Sequence, residues 1–585
     1  MIRAHISADE RYELFVDGQS AARGSERGDP QHWFFESYDL SLPPGDHMLV
    51  ARVWSLGELA PWAQMSTHHG FLFAVEKDWI PLLATGAAAW EAKVLPGYTF
   101  TDPAPTLAAG ANLVVDGNDY AWGFEAGQGD DWRPAISYYP GMRPGRSEAL
   151  DPADRSCLPP YHELIPARLP EMFKQPVRPG KVRYIASYDR LRVLPPERKS
   201  ETAGDPDSSA EGVVPVQMAS HLTGEAPAWA AMLQGTSSVT LPPHTHRRIL
   251  IDLENYFCAY PRVQVSGGAG ASIGLVWAEA LYNEPFAQTK GQRDEIEGKY
   301  FYGVVDTFLP DGAPSRWFDT LWWQCGRYLE IRVETQDQPL TIERLELTET
   351  RYPLEMQSGF QASDPRLERA IPILMRGLQM CAHETYFDCP YYEQLMYVGD
   401  TRLETLVTYT VTGDDRLPHK ALEMFDRSRM VNGLTQSRYP SHIRQTIPPF
   451  SLWYVGMVYD HASWRGNLPF IQALMPGVRG VLDAFLSYRN EQGLVAGPPG
   501  WNFMDWSHGW ESGIPPEGDF GASAPINWLT ILALDWAAQL ETWLGEPELA
   551  VRWERYAANM TGKVCAAFWD PALSRFCDAP GQQRA

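Results

Sequence analysis

Three carboxylates lie close together in the segment Phe387-Asp388-Cys389-Pro390-Tyr391-Tyr392-Glu393-Gln394-Leu395-Met396-Tyr397-Val398-Gly399-Asp400. They are Asp388, Glu393 and Asp400, set among tyrosines and apolar residues. A glutamic acid in such company can hold its proton near neutral pH, because neighbouring carboxylates and an apolar shell both raise its pKa. It can then donate that proton to a leaving oxygen. Ionised neighbours accept hydrogen bonds from hydroxyl groups, and an aromatic ring stacks on the apolar face of a pyranose. Together these are the requirements for cleaving a glycosidic bond. The same residue types also suit a helix start with acidic capping residues.

The elements that must position these groups change character along the chain. The first part reads as short strands between Gly/Pro turns: Tyr12 to Val16 before Asp17-Gly18, His47 to Trp54, Arg248 to Leu253, Arg262 to Ser266, Ser272 to Trp277, Tyr328 to Val333 and Ile342 to Leu347. Strands of this kind predict β-sandwiches. A polar, turn-rich stretch near 195–212 reads as a loop or linker. From Ser363-Asp364-Pro365 the period becomes helical, with Leu367, Ile371, Leu374, Leu378 and Cys381 on one face and Pro372 as a potential kink. Further helices are expected around 402–412, 416–429, 450–462, 469–489, 526–544 and 546–568. If the chain were helical from Glu393 onward, Glu393, Tyr397 and Asp400 would share one face.

The boundaries that follow are 1–125 for an N-terminal β-sandwich, 126–230 for a connecting segment, 231–352 for a second β-sandwich and 355–585 for a helical catalytic domain. The 585 residues carry a formal net charge of −24, which disfavours nucleic acid and anionic membrane surfaces. Aromatic residues make up 12%, including 22 Trp, which suits carbohydrate stacking as well as large cores. The seven cysteines (Cys157, Cys258, Cys325, Cys381, Cys389, Cys565 and Cys577) show no paired spacing, so free thiols are expected rather than disulfides or zinc. Neither a secretory h-region nor an apolar run of about 18 residues is present in the sequence, so a cytoplasmic enzyme is the expectation.

Asp-Cys-Pro, then Glu, then an aromatic before Gly-Asp, resembles the signature of the α-L-rhamnosidases of glycoside hydrolase family 78. In that family the pattern runs close to Asp-Cys-Pro-x-Arg-x-Glu-Arg-Leu-Gly-Trp-x-Gly-Asp. This sequence is one residue shorter between Pro390 and Glu393, has Tyr392 where Arg is common, and has Met396-Tyr397 for Gly-Trp. Weaker resemblances extend it: Arg11 to Gly18 to the family's first sandwich, and Ile251 to Tyr282 and Cys325 to Glu330 to its second. The resemblance implies a multidomain β + α fold, jelly-roll-like β-sandwiches followed by an (α/α)6 barrel.

It also implies an inverting glycosidase acting on terminal α-L-rhamnosides. Glu393 would be the general acid, and Asp388, Tyr397 and Asp400 would hold the sugar. Trp453 and the loop Gly500-Trp501-Asn502-Phe503-Met504-Asp505-Trp506 match substrate-lining positions, with Trp501, Asp505 and Trp506 as the contacts. His383 and His508 read as structural. No cofactor is expected; the resemblance allows a structural calcium ion in a β-domain, without a readable ligand set.

An inverting enzyme needs a second carboxylate roughly 6.5–9.5 Å from the acid. In the family this base comes from a late helical hairpin. About 230 residues follow residue 355, room for about four hairpins of ordinary helix length rather than six. The expectation is therefore an incomplete barrel, with the base and a C-terminal β-domain beyond Ala585. Otherwise Asp505, Glu511, Glu517 and Asp519 are the acids to try. The competing readings are a six-hairpin glycosidase acting on another sugar and a carbohydrate-binding protein without turnover. Oligomeric state is not legible.

Overall fold

The computed structural model describes residues 1–101, 108–137, 162–188, 215–284 and 289–579. The stretch near 195–212 and Cys157 lie outside the described residues. The chain divides into two compact units. The first holds Met1–Pro353 together with two later pieces, Gln379–Glu384 and Cys389–Gln394. The second holds Leu354–Leu378, Thr385–Asp388 and Leu395–Ala585.

The first unit is rich in strands. Near the N-terminus, Ile2–Asp9 lies between Trp33–Leu40 and Gly70–Val75 in one sheet, and Arg11–Val16 lies between Gln19–Gly24 and Leu49–Trp54 in another. Their alternating apolar residues meet in one core that includes Ala4, Ile6, Tyr12, Leu14 and Phe73. A larger sheet is organised around one long strand, His246–Gly267, which pairs with Lys181–Ala186, Arg316–Asp319, Gln324–Glu334 and Leu340–Arg351. The sequence reads this strand as two, because Glu254-Asn255-Tyr256 interrupts the apolar pattern. The ladder slips its register between Asp252 and Phe257, and Glu254 takes a φ of 63°, so the chain bulges there and then continues. Tyr98–Thr101, Asn112–Asp116 and Phe173–Val177 join the same sheet, which thus draws on residues either side of the boundaries expected at 125 and 230. Ile249, Ile251, Trp277, Leu329 and Ile331 form its buried centre.

The second unit is helical: α1 Pro365–Met380 (its last two residues counted with the first unit), α2 Val398–Val411, α3 Arg416–Arg427, α4 Pro448–Arg465, α5 Leu468–Ser487, α6 Ala524–Leu544 and α7 Pro547–Phe568. The start of α1 follows from Asp364, whose Oδ1 accepts the Arg366 N–H at 2.9 Å. Pro372 does not interrupt that helix. Helix α4 begins with Pro448 and α6 carries Pro525 at its second position, and both end at a left-handed glycine, Gly466 and Gly545. Helix α4 packs against both α2 and α6, while α3 and α5 pack beside it and each other. Of the apolar face expected on α1, Leu378 is buried but Leu367 and Leu374 stand in solvent. Among the described residues the cysteines are free, no helix is long and apolar enough to cross a membrane, and no three His, Cys, Asp or Glu side chains are grouped to hold a metal ion.

Candidate active site

Glu393 lies on a short loop, Cys389–Gln394, that folds with the first unit. The loop closes on itself: the Gln394 N–H donates to the Cys389 carbonyl at 3.0 Å, and the Gln394 side-chain amide donates to the Pro390 carbonyl at 3.0 Å. Gln394 takes a φ of 55°, in the left-handed region, which reverses the chain and rules out a helix through this point. The helix begins instead at Val398, with Tyr397 extended before it. The shared helical face expected for Glu393, Tyr397 and Asp400 is therefore absent.

Each residue around the acid is pinned. The Cys325 thiol donates to the Pro390 carbonyl at 3.0 Å. The Tyr391 hydroxyl donates to the Trp277 carbonyl at 2.8 Å and accepts the Val304 N–H at 3.2 Å, so its ring is held in the large sheet. The Lys290 ammonium bridges the Tyr392 hydroxyl at 2.6 Å and Glu279 at 2.8 Å. The Gln394 carbonyl accepts from Arg27 at 3.1 Å, and its side-chain oxygen accepts from the Trp322 indole at 3.1 Å. Glu393 itself is half-buried between these anchored neighbours. Fixing the backbone on both sides removes conformational freedom that a proton donor must otherwise lose at the moment of reaction.

The remaining acids belong to the second unit. Asp388 and Leu395 bond twice: the Asp388 N–H donates to the Leu395 carbonyl at 2.9 Å, and the Leu395 N–H to Asp388 Oδ1 at 3.1 Å. Asp400 stands in the first turn of α2, where the helix dipole favours a negative charge. One turn on is Glu404, whose carboxylate accepts the Phe387 N–H. Its Oε2 is sealed from solvent with no hydrogen-bond partner among the described residues. Burial, followed by the charges of Asp400 and Asp388, holds the Glu404 pKa well above the ordinary value. Burial at this position therefore favours the protonated form of Glu404.

A stability consequence follows from Glu404. A carboxyl whose folded pKa is raised keeps a proton that the unfolded chain gives up, so stability falls as pH climbs above the unfolded value of 4.5. Glu404→Gln, which mimics the neutral form, is expected to flatten the fall in melting temperature as pH rises above 4.5. Unfolding curves of both proteins across that range check this.

An aromatic array continues from Tyr397. The Arg438 guanidinium donates to the Tyr397 hydroxyl, and the Tyr397 ring meets Phe450 edge-on at 6.3 Å. Phe450 contacts Phe503 at 5.9 Å, and Phe503 contacts Trp501 at 4.8 Å and Trp506 at 5.1 Å. Any side chain on Gly399 would strike the Phe450 ring at 2.8 Å, which accounts for the glycine before Asp400. The loop carrying Trp501 is tied down by its indole donating to the Ser512 carbonyl at 3.1 Å and by the Met504 N–H to the Gly513 carbonyl at 2.9 Å. Trp506 is 73% exposed at its edge, beside Asp505, whose Oδ1 accepts the Trp506 N–H. Tyr397, Trp501 and Trp506 thus belong to one array of rings.

Trp453 is not brought to it. Its ring and that of Trp536 hold the Arg402 guanidinium between them, at 4.8 and 4.6 Å, and Arg402 pairs with Asp460 at 2.8 Å. That is packing between α2, α4 and α6. Of the other acids, Asp519 accepts from the Asn502 amide at 3.0 Å, and Glu511 and Glu517 are exposed. His383 is buried against Trp323 and bonded to Thr350, and His508 is exposed. Sequence reasoning missed Arg27, Trp322, Glu404 and Arg438. Only Glu404 left a local signal there, its i, i+4 spacing from Asp400.

Residues 355–576 match the family model described as the bacterial α-L-rhamnosidase 6 hairpin glycosidase domain. No curated protein sequence matches the chain. Among solved structures, the family 78 rhamnosidase of Bacillus sp. GL1 aligns with a TM-score of 0.80 at 18% identity, over 99% of this chain and 75% of that one. The rhamnosidase from Klebsiella oxytoca with rhamnose bound aligns with a TM-score of 0.53 at 20% identity, over 71% and 74%. Streptomyces avermitilis α-L-rhamnosidase complexed with L-rhamnose gives 0.56 at 13% identity, over 97% of this chain but 47% of that one. At these identities the likeness to solved structures is one of fold. Residues 355–576 are therefore similar to the bacterial α-L-rhamnosidase 6 hairpin glycosidase domain, in a chain with the fold of the family 78 rhamnosidases.

Proposed function

We propose that the protein hydrolyses terminal α-L-rhamnosides with inversion, and that Glu393 is its general acid. The observation that carries the reading is the pinned loop. Glu393 is the acid of a segment whose neighbours at 390, 391, 392 and 394 are each hydrogen-bonded into the first unit. In this reading Asp388 and Asp400 accept hydrogen bonds from the sugar hydroxyls, and Tyr397, Trp501 and Trp506 offer rings to its apolar face. The strand-rich unit is read as two β-sandwiches, and the helices as belonging to an (α/α)6 arrangement.

Inversion also needs a base on the opposite face of the sugar. Within this chain Asp505, Glu511, Glu517 and Asp519 are the acids to replace one at a time.

A panel of aryl glycosides tests the sugar. The expected result is turnover of aryl α-L-rhamnoside well above that of the others. Turnover confined to a different glycoside assigns the same architecture to another sugar. Rhamnose binding without turnover of any glycoside makes the chain a binding protein.

A further inference from the structure

We infer that Arg27, in the N-terminal part of the first unit, is a positioning residue for the acid, acting through Gln394. The inference rests on the reading of Glu393 as proton donor. Arg27 is 2% exposed and reaches the loop directly, donating to the backbone carbonyl of Gln394, the residue after Glu393, at 3.1 Å. It is held there by a built arrangement. Its own N–H donates to Glu384 Oε2 at 3.0 Å. Glu384 is gripped in turn by both terminal nitrogens of Arg11, at 2.6 and 2.9 Å. The Trp322 ring lies under both guanidinium groups, at 4.4 Å from Arg11 and 5.3 Å from Arg27, and its indole N–H reaches the Gln394 side chain.

A fork-shaped donor lying on an aromatic plane, with its own main chain anchored to a carboxylate that Arg11 holds, has little freedom to move. The carbonyl it holds belongs to a residue in the left-handed region, a conformation that a non-glycine side chain keeps only under constraint from its surroundings. Freeing that carbonyl lets Gln394 relax and moves Glu393 off its line of proton donation. Burial and the neighbouring Arg11 lower the Arg27 pKa to about 9, so it still carries its charge at neutral pH.

The test separates positioning of an acid from general damage through the leaving group. An alkyl α-L-rhamnoside needs a proton on its departing oxygen; a 2,4-dinitrophenyl α-L-rhamnoside does not. In the full chain, Arg27→Met is expected to lower kcat on the alkyl substrate roughly 100-fold, the scale of a small misplacement of a catalytic group, with KM nearly unchanged. On the dinitrophenyl substrate the loss stays within a few fold. Arg27→Lys, which can still donate one bond, recovers part of the difference. Should Arg27→Met fail to fold, Trp322→Phe keeps the ring but removes the bond to the Gln394 side chain, and is expected to show the same split in weaker form. Equal losses on both substrates, or no loss on either, would overturn the inference. Glu393→Gln run in parallel marks the boundary with the larger reading: if it shows no leaving-group dependence, the assignment of the acid fails first.

Discussion

Glu393→Gln is expected to lower turnover of an alkyl α-L-rhamnoside by about 1,000-fold, with little change in KM. Glutamine keeps the shape of a protonated glutamic acid and its place between Tyr392 and Gln394, so the anchored loop is preserved. What it loses is the proton it could transfer. General acid catalysis contributes on this scale when the departing oxygen is a poor leaving group. The loss shrinks with a nitrophenyl leaving group, which departs without protonation. Steady-state kinetics on the two substrates measure both effects. The shift in kcat rather than KM follows because proton donation stabilises the transition state and not the bound ground state.

The second large effect is on stability. Glu384 is buried and lies against Arg11, with side-chain exposures of 12% and 7%. Burial alone works against its charge. The charge and hydrogen bonds of Arg11, with His383 and Arg27 nearby, outweigh that and bring its pKa down to about 2. Glu384→Ala leaves the buried Arg11 guanidinium without its paired anion and the Arg27 N–H without its acceptor. Breaking a buried pair in this way costs about 3–5 kcal/mol, far more than loss of a surface pair. Denaturant unfolding of the variant measures this. Replacing Arg11 and Glu384 together with methionine restores much of the loss, because no uncompensated charge from that pair remains.

The sign with pH is also fixed. A carboxyl with a lowered folded pKa stabilises the protein above its unfolded value of 4.5. That contribution drains away as pH falls from about 4.5 toward about 2, so the wild type loses its advantage over Glu384→Ala across that window.

What could be read in the sequence depended on how far apart the participants lie. The acid motif is contiguous, so Asp388, Glu393 and Asp400 stand out by residue type alone. The long helices were equally legible, since apolar periodicity and proline or glycine at their ends are local signals; α6 and α7 fall within a few residues of the expected spans. The loop geometry was not legible. Nothing in Glu393-Gln394-Leu395 announces a left-handed Gln394, and a helix through these residues satisfied the spacing equally well. The clamp on that loop joins Arg27 to Gln394 across 367 residues, and no spacing rule spans such a separation. Trp453 shows how packing adds partners that the sequence does not reveal. A tryptophan at a helix start looked like a sugar platform, yet it packs on Arg402 because helices α4 and α6 meet there.

The arrangement also changes the view of the N-terminal part of the chain. Arg11 and Arg27 are as much a part of how the acid is held as the residues beside it in sequence. Variants that loosen this clamp are expected to lose activity while the fold of the helical unit is retained.

The most direct measurement is the early course of hydrolysis of an alkyl α-L-rhamnoside, followed by proton NMR, with the wild type and Glu393→Gln compared at equal concentration. The account predicts that the wild type releases β-L-rhamnose first, the inverted anomer, and that the variant releases almost none. Release of the α-anomer first, or hydrolysis by the variant at the wild-type rate, would contradict it.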